Sequence, residues 1–219
     1  MPKPPKAVLF DLDGTLLDTA ADLVGALNHV LQVHGEPEQP FEVVRNYVSR
    51  GAIALLCKGF GIESTDSRIK PLWDEMLDYY AENLCHHTRF FEGMENVLHT
   101  IENAGKPWGI VTNKPGFLTD PLLEQLDITP RVGCVVSGDT LPTRKPDPAP
   151  MLYAAKQIGV ASSECIYIGD DLRDVQAGQG AAMKTIAAAY GYIIPGDDPA
   201  SWGADGIIYT PTEINDWLT

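Results

Sequence analysis

An α/β fold, a parallel sheet with helices on both faces and an all-helical insertion after the first strand, is predicted by three features of this 219-residue sequence. From about Met94 onward, short apolar stretches alternate strictly with amphipathic ones, the pattern of parallel strands joined by crossover helices. Between roughly Leu17 and Arg89 the chain reads as helix after helix with no strand between them. Ahead of both regions, Ala7-Val8-Leu9-Phe10 is a run of apolar residues of the kind a strand covered on both faces requires.

That opening strand runs straight into Asp11-Leu12-Asp13-Gly14-Thr15, where Gly14 permits a sharp exit. Residues at i and i+2 of an extended chain point the same way, so Asp11 and Asp13 crowd one site and repel unless a cation or a shared proton compensates them. Thr19-Ala20-Ala21-Asp22 has the form of a capping box, and Leu23, Leu27, Val30 and Leu31 follow at helical spacing until Gly35. Further helices are expected at residues 41–48, 52–60 and 67–84; Ile69, Trp73, Met76, Leu77 and Tyr80 form the stripe of the last. Trp73, Tyr79 and Tyr80 lie at helical spacing and read as packing.

The alternating region follows with helix 95–103, strand 108–112, helix 118–126, strand 132–136, helix 149–158, strand 165–168, helix 175–182, strand 185–189 and a late strand at 206–209. Residues 1–16 and 90–219 therefore read as a Rossmann-like core, and residues 17–89 as a helical cap domain above the carboxyl edge of the sheet, where open α/β sheets bind ligands. Pro195-Gly196-Asp197-Asp198-Pro199 marks a loop.

A formal charge of −14 argues against non-specific binding of nucleic acid or anionic membranes, since either needs a basic face. An anionic substrate must then be held by a few local cations or a metal. Cys57, Cys85, Cys134 and Cys165 are dispersed and form no C-x-x-C pair, so reduced, mostly buried thiols are expected. The apolar run after Met1-Pro2-Lys3-Pro4-Pro5-Lys6 is too short for a signal peptide, and no stretch is long enough to cross a bilayer, which places the protein in the cytoplasm. A monomer and a homodimer are both compatible with the sequence.

The strand ends carry the chemistry. Strand 108–112 leads to Thr112-Asn113-Lys114, a hydroxyl and an amide that suit an anion; the next ends in Ser137-Gly138-Asp139, followed by Arg144-Lys145-Pro146; strand 165–168 ends in Gly169-Asp170-Asp171, with Asp174 one turn into a helix. Each has a plain structural reading, as helix cap, solvated charge or turn. In a parallel sheet all of them meet at one edge, where Asp11, Asp13, Asp170, Asp171 and Asp174 face only Lys114, Arg144 and Lys145. A bound phosphate would deepen that imbalance, which calls for a hard divalent cation with oxygen ligands, and Mg²⁺ fits.

With Asp11-Leu12-Asp13-Gly14-Thr15, Thr112-Asn113, Lys145-Pro146 and Gly169-Asp170-Asp171-Leu172-Arg173-Asp174 in this order over most of its length, the chain resembles the haloacid dehalogenase superfamily. Within it the likeness is to the phosphoglycolate phosphatase-like branch with a helical cap after the first strand. The resemblance implies that Asp11 is the nucleophile forming an aspartyl-phosphate, and that Asp13 is the acid for the leaving alcohol and then the base for water. Thr112 and the backbone at Asn113 would hold the transferring phosphoryl oxygens, and Lys145 would neutralise Asp11 and the phosphate. Mg²⁺ would bind Asp11, the carbonyl of Asp13 and Asp170, with Asp174 acting on a metal-bound water or on Lys145. Asp171 stands where relatives often carry a small or hydroxyl residue, as a further carboxylate behind the metal ligands or as an exposed one, and Glu92, at the return from cap to core, where they usually carry proline.

In the cap, Ser49-Arg50-Gly51 precedes an expected helix start, so Arg50 is a candidate for reading a carboxylate on the substrate, with a solvated loop residue as the alternative. Phosphoglycolate is the default substrate of the branch. Val48-Ser49-Arg50-Gly51-Ala52 also resembles proteins of this branch that dephosphorylate N-acetylmuramic acid 6-phosphate in cell-wall recycling. A phosphosugar mutase and a non-catalytic receiver-like module fit less well; a receiver carries its acidic pair and its acceptor aspartate on different strands and has no cap.

Overall fold

The computed structural model describes residues 4–219; Met1 to Lys3, part of the amino-terminal segment considered above, lie outside the described residues. β1 (Ala7–Phe10) leads through a tight turn into β2 (Leu17–Asp18), then α1 (Ala20–Val33), α2 (Phe41–Val44), a 3₁₀ helix at Arg45–Arg50, α3 (Ala52–Phe60) and α4 (Ile69–Glu82). β3 (Arg89–Phe90) returns the chain to α5 (Met94–Asn103), β4 (Trp108–Val111), α6 (Gly116–Gln125), β5 (Cys134–Val136) and α7 (Ala149–Ile158). β6 (Cys165–Gly169), α8 (Leu172–Gly180), β7 (Lys184–Ala188) and β8 (Gly206–Ile208) complete the regular structure, which closes on a 3₁₀ helix at Pro211–Trp217.

The six long strands form one sheet in the order β5-β4-β1-β6-β7-β8, and every neighbouring pair is parallel. The predicted Rossmann-like α/β class is therefore correct. β1 is central and fully buried, and its side chains divide by the strand's period of two. Val8 and Phe10 join Leu98, Ile101, Leu122 and Ile168 on one face. Ala7 and Leu9 join Met151, Ala154, Tyr167 and Ala177 on the other. Fully burying a side chain the size of Val8, Leu9 or Phe10 contributes about 1.5–3 kcal/mol, so both faces of β1 are held firmly. The chain leaves β1 outward to β4 and β5 and comes back to β6 on the opposite side, which opens a crevice at the carboxyl ends of β4, β1 and β6.

The helices α1, α3 and α4 pack around a second core built from Leu27, Leu31, Leu55, Leu56, Met76 and Tyr80, with Leu118 and Tyr192 entering it from the sheet's side. An antiparallel ribbon, Leu17 against Phe90 and Asp18 against Arg89, joins the helical segment to the sheet. The ribbon leaves no mark in the sequence, because two-residue strands have no periodicity.

Several local expectations change. The capping box at Thr19 does not form: the Thr19 hydroxyl donates to Asp13 (2.7 Å), and Asp22 accepts from the backbone of His87 and Thr88 and from the Thr88 hydroxyl. The free N–H groups of Thr19 and Ala20 instead donate to the Tyr192 hydroxyl (2.8 and 3.0 Å). The single helix expected at 41–48 is one α-turn followed by the 3₁₀ segment, and β5 starts two residues late. α8 starts three residues early, because Asp171 accepts from Arg173 N–H and Asp174 accepts from Asp171 N–H, a true capping box. All four cysteines are free, but only Cys165 is buried; the other three are half-buried.

Candidate active site

Asp11, Thr112 and Asp170 are each the first residue beyond β1, β4 and β6, and strand register sets them side by side at the crevice. Asp11 Oδ1 accepts from Leu12 N–H (2.7 Å) and lies 2.8 Å from Lys145 Nζ. The same buried ammonium reaches Asp174 Oδ1 (2.7 Å) and the Tyr167 hydroxyl (3.0 Å), so it is fixed between two carboxylates. Asp170 Oδ2 accepts from Tyr192 N–H (2.8 Å) and from the Ser49 hydroxyl (2.6 Å). Gly14, at φ +87°, lets the turn press against this carboxylate; a Cβ there would lie 2.1 Å from Asp170 Oδ2.

Asp13 sits beside this group on the turn. Its Oδ1 accepts from the Thr19 hydroxyl (2.7 Å) and from Lys114 Nζ (3.1 Å), and Lys114 in turn donates to the Tyr80 hydroxyl (2.9 Å). Over these groups lies a cavity of about 200 Å³. Its floor is polar, with Asp11, Asp13, Thr112, Asn113 and Lys145, and its roof is largely apolar, with Val48, Ile53, Trp73 and Leu77.

Burial pushes the Asp11 carboxyl up to about 7, against the pull of Lys145 and with the help of Asp174. Asp170 is raised well above the ordinary range by burial and then by Asp11 and Asp174. Burial would discharge Lys145, but Asp11 and Asp174 outweigh it and lift its pKa; Asp13 and Tyr80 do the same for Lys114. Carboxylate oxygens of Asp11, Asp170 and Asp174 lie within 4.8 Å of one another. Asp174 is already occupied by Lys145 and Asp171 N–H. Among the described residues, Asp11 Oδ2 receives no hydrogen bond and Asp170 Oδ1 only a long one from Thr15 (3.4 Å). The crowded carboxylates of Asp11 and Asp170, both made costly to ionise, suit a hard cation.

The family model for haloacid dehalogenase-like hydrolases matches residues 8–188, a span that includes Asp11, Thr112, Lys145 and Asp170. The chain belongs to this family. The resemblance read from the four motifs is thus borne out, and the protein is a hydrolase by membership. An N-acetylmuramic acid 6-phosphate phosphatase of Pseudomonas aeruginosa is 43% identical, covering 97% of this chain and 94% of its own. A phosphoglycolate phosphatase of Xanthomonas campestris pv. campestris is also 43% identical, covering 96% and 95%. The crystal structure of a predicted phosphoglycolate phosphatase from Haemophilus somnus superposes with a TM-score of 0.85 at 28% identity, covering 98% of both chains.

In this hydrolase the residues singled out from sequence converge, with three exceptions. Thr112 is buried beneath the cavity, but the Asn113 side chain turns away and donates to the carbonyl of Lys145 (3.0 Å), tying the lysine's loop to β4. Arg50 lines the cavity, yet it pairs with Asp171 (3.1 Å) and Asp197 (2.7 Å). Asp171 is held below the usual carboxylate range: burial acts against this, but Arg173 and then Arg50 outweigh it. Asp139 leaves the site and caps α6 through Gly116 N–H.

Sequence reasoning missed four contributors. Tyr167 anchors Lys145 from the middle of β6, and its signal was a hydroxyl-bearing residue in an otherwise aliphatic strand. Ser49 reads in the sequence only as part of a loop, yet its hydroxyl donates to Asp170. Lys114 reads only as a nearby cation, and Tyr80 only as core; Tyr80 is fully buried, but its hydroxyl accepts from Lys114. No helix among the described residues is long and apolar enough to cross a membrane.

Proposed function

We propose that this hydrolase is a phosphoric monoester hydrolase that works through an aspartyl-phosphate. The observation that carries the proposal is the Lys145 ammonium fixed between Asp11 and Asp174 while Asp11 Oδ2 stays without a hydrogen-bond donor. That oxygen attacks phosphorus, the bond from phosphorus to the ester oxygen breaks, and Asp13 delivers a proton to the departing alkoxide. Asp13 then takes a proton from water as the water oxygen attacks phosphorus, releasing inorganic phosphate and restoring Asp11. Thr112 and the backbone at Asn113 hold the phosphoryl oxygens, and Lys145 balances the charge that builds there. Mg²⁺, held by Asp11, Asp170 and the carbonyl of Asp13, would supply further neutralisation of the phosphoryl oxygens when bound. Asp174 acts by holding Lys145.

In this reading residues 17–89 are the cap over a core of residues 1–16 and 90–219, and the protein works in the cytoplasm on a small-molecule ester. Phosphoglycolate is the first choice of substrate: a cavity of about 200 Å³ is small, and Arg50 at its wall can exchange Asp171 and Asp197 for a substrate carboxylate. The apolar roof with Trp73 supports a second reading, N-acetylmuramic acid 6-phosphate, whose leaving group also bears a carboxylate but offers a carbon-rich ring. Specificity constants for both esters and for common sugar phosphates, measured with Mg²⁺, decide between them. A purified enzyme that released phosphate from none of them would overturn the proposal.

A further inference from the structure

The roof of the cavity and the proton-transfer group beneath it are joined by one buried connection. Trp73, Leu77 and Tyr80 share a face of α4 by their spacing of four and three residues, and all three line the cavity. Tyr80 reaches past the others: its hydroxyl accepts from Lys114 Nζ at 2.9 Å, and the ammonium also lies 4.5 Å from the centre of the same ring. Lys114 holds Asp13 at 3.1 and 3.4 Å, and Thr19 takes Asp13 Oδ1 at 2.7 Å. Oδ1 is thus doubly held, which fixes the plane of the carboxylate and leaves Oδ2 the freer oxygen.

From this geometry we infer that Lys114 and Tyr80 are positioning residues for proton transfer by Asp13, so that the helix facing the leaving group also orients the acid that protonates it. A simple docking contact between helix and sheet would need no ammonium in a buried place. Among the described residues, the cost of burying Lys114 is met by Asp13 and the Tyr80 hydroxyl and ring alone, so each of the three groups depends on the others. The inference rests on the reading of Asp13 as the acid for a phosphate ester.

The test compares kcat/KM with Mg²⁺ for an alkyl ester, phosphoglycolate, and for p-nitrophenyl phosphate, whose leaving group departs without a proton. Because kcat/KM ends at the first irreversible step, it excludes the later activation of water. Lys114→Met is expected to lose about 100-fold on the alkyl ester, within the range of acid catalysis, and only a few-fold on the aryl ester. Tyr80→Phe removes a single oxygen; it is expected to lose about tenfold on the alkyl ester with the aryl ester nearly unchanged, and it decides the matter alone should Lys114→Met fail to fold. In an Asp13→Asn background, neither change should add a further loss on the alkyl ester. Equal losses on both esters, or no loss on the alkyl one, would overturn the inference while leaving the phosphatase reading intact. A wild-type enzyme inactive on every monoester would overturn both.

Discussion

The floor of the cavity and its roof are held in place by different means. Asp11, Thr112 and Asp170 are extensions of three hydrogen-bonded strands, and the Lys145 ammonium is pinned by Asp11, Asp174 and Tyr167, so these groups move only if the sheet does. The roof meets the floor through side chains: Ser49 on Asp170, Arg50 on Asp171 and Asp197, Tyr80 on Lys114, and the Arg45 guanidinium over the Tyr192 ring. A backbone ladder is common to any substrate, whereas side-chain contacts can be exchanged for contacts with a ligand. In the proposed reaction the chemistry therefore belongs to the floor, and selectivity to the roof.

That contrast is open to direct attack. The largest effect is expected from Asp11→Asn, which should reduce turnover of every ester by several orders of magnitude, with no loss of melting temperature because a costly buried charge disappears. Appreciable residual activity would remove Asp11 from its role. Asp13→Asn should cost about 10²–10⁴-fold in kcat/KM for alkyl esters and much less for activated aryl esters. Arg50→Gln, a change in the roof, should instead rank the substrates: about tenfold lower kcat/KM for a carboxylate-bearing ester, with p-nitrophenyl phosphate little affected. A uniform loss across esters would make Arg50 part of the general machinery.

The smallest effect concerns the ties between roof and floor. Asp171 has a folded-state pKa below the ordinary aspartate value, so its pairing with Arg173 and Arg50 stabilises the fold above about pH 4 and is lost as the pH falls through the lowered value. Asp171→Asn keeps a residue able to cap α8. It should lower the melting temperature at neutral pH by about 2–4 °C, roughly 1 kcal/mol after allowing for the partial exposure of both arginines. The difference from wild type should shrink toward zero as unfolding is followed down to acid pH, and a constant difference would remove the ion pairs as its cause.

Much of the floor was legible because its residues sit at strand ends, and strand ends are marked by an apolar run breaking off into polar residues. The run from Ala7 to Phe10 before Asp11, and from Cys165 before Asp170, needed no knowledge of the fold. The roof was less legible. Tyr80 follows the helical stripe as any core residue does, and periodicity reports that a ring is buried but not that its hydroxyl meets an ammonium from another segment. The motif at Thr19 misled for the complementary reason: both of its polar side chains found distant partners, Asp13 and Thr88, in preference to the local cap.

The alternation that makes the sheet, the order of the acidic, hydroxyl and lysine groups along it, and hence the family, are written in the amino-acid sequence. All of these follow from local pattern, because strand and helix periods and strand termini are properties of short stretches. It took the folded chain to show which oxygen of Asp11 stays free, that Asp174 turns to Lys145, and that Arg50 and Tyr80 tie the roof to the floor. Those facts depend on side chains up to 147 positions apart meeting within hydrogen-bond distance, and no local pattern encodes such a meeting.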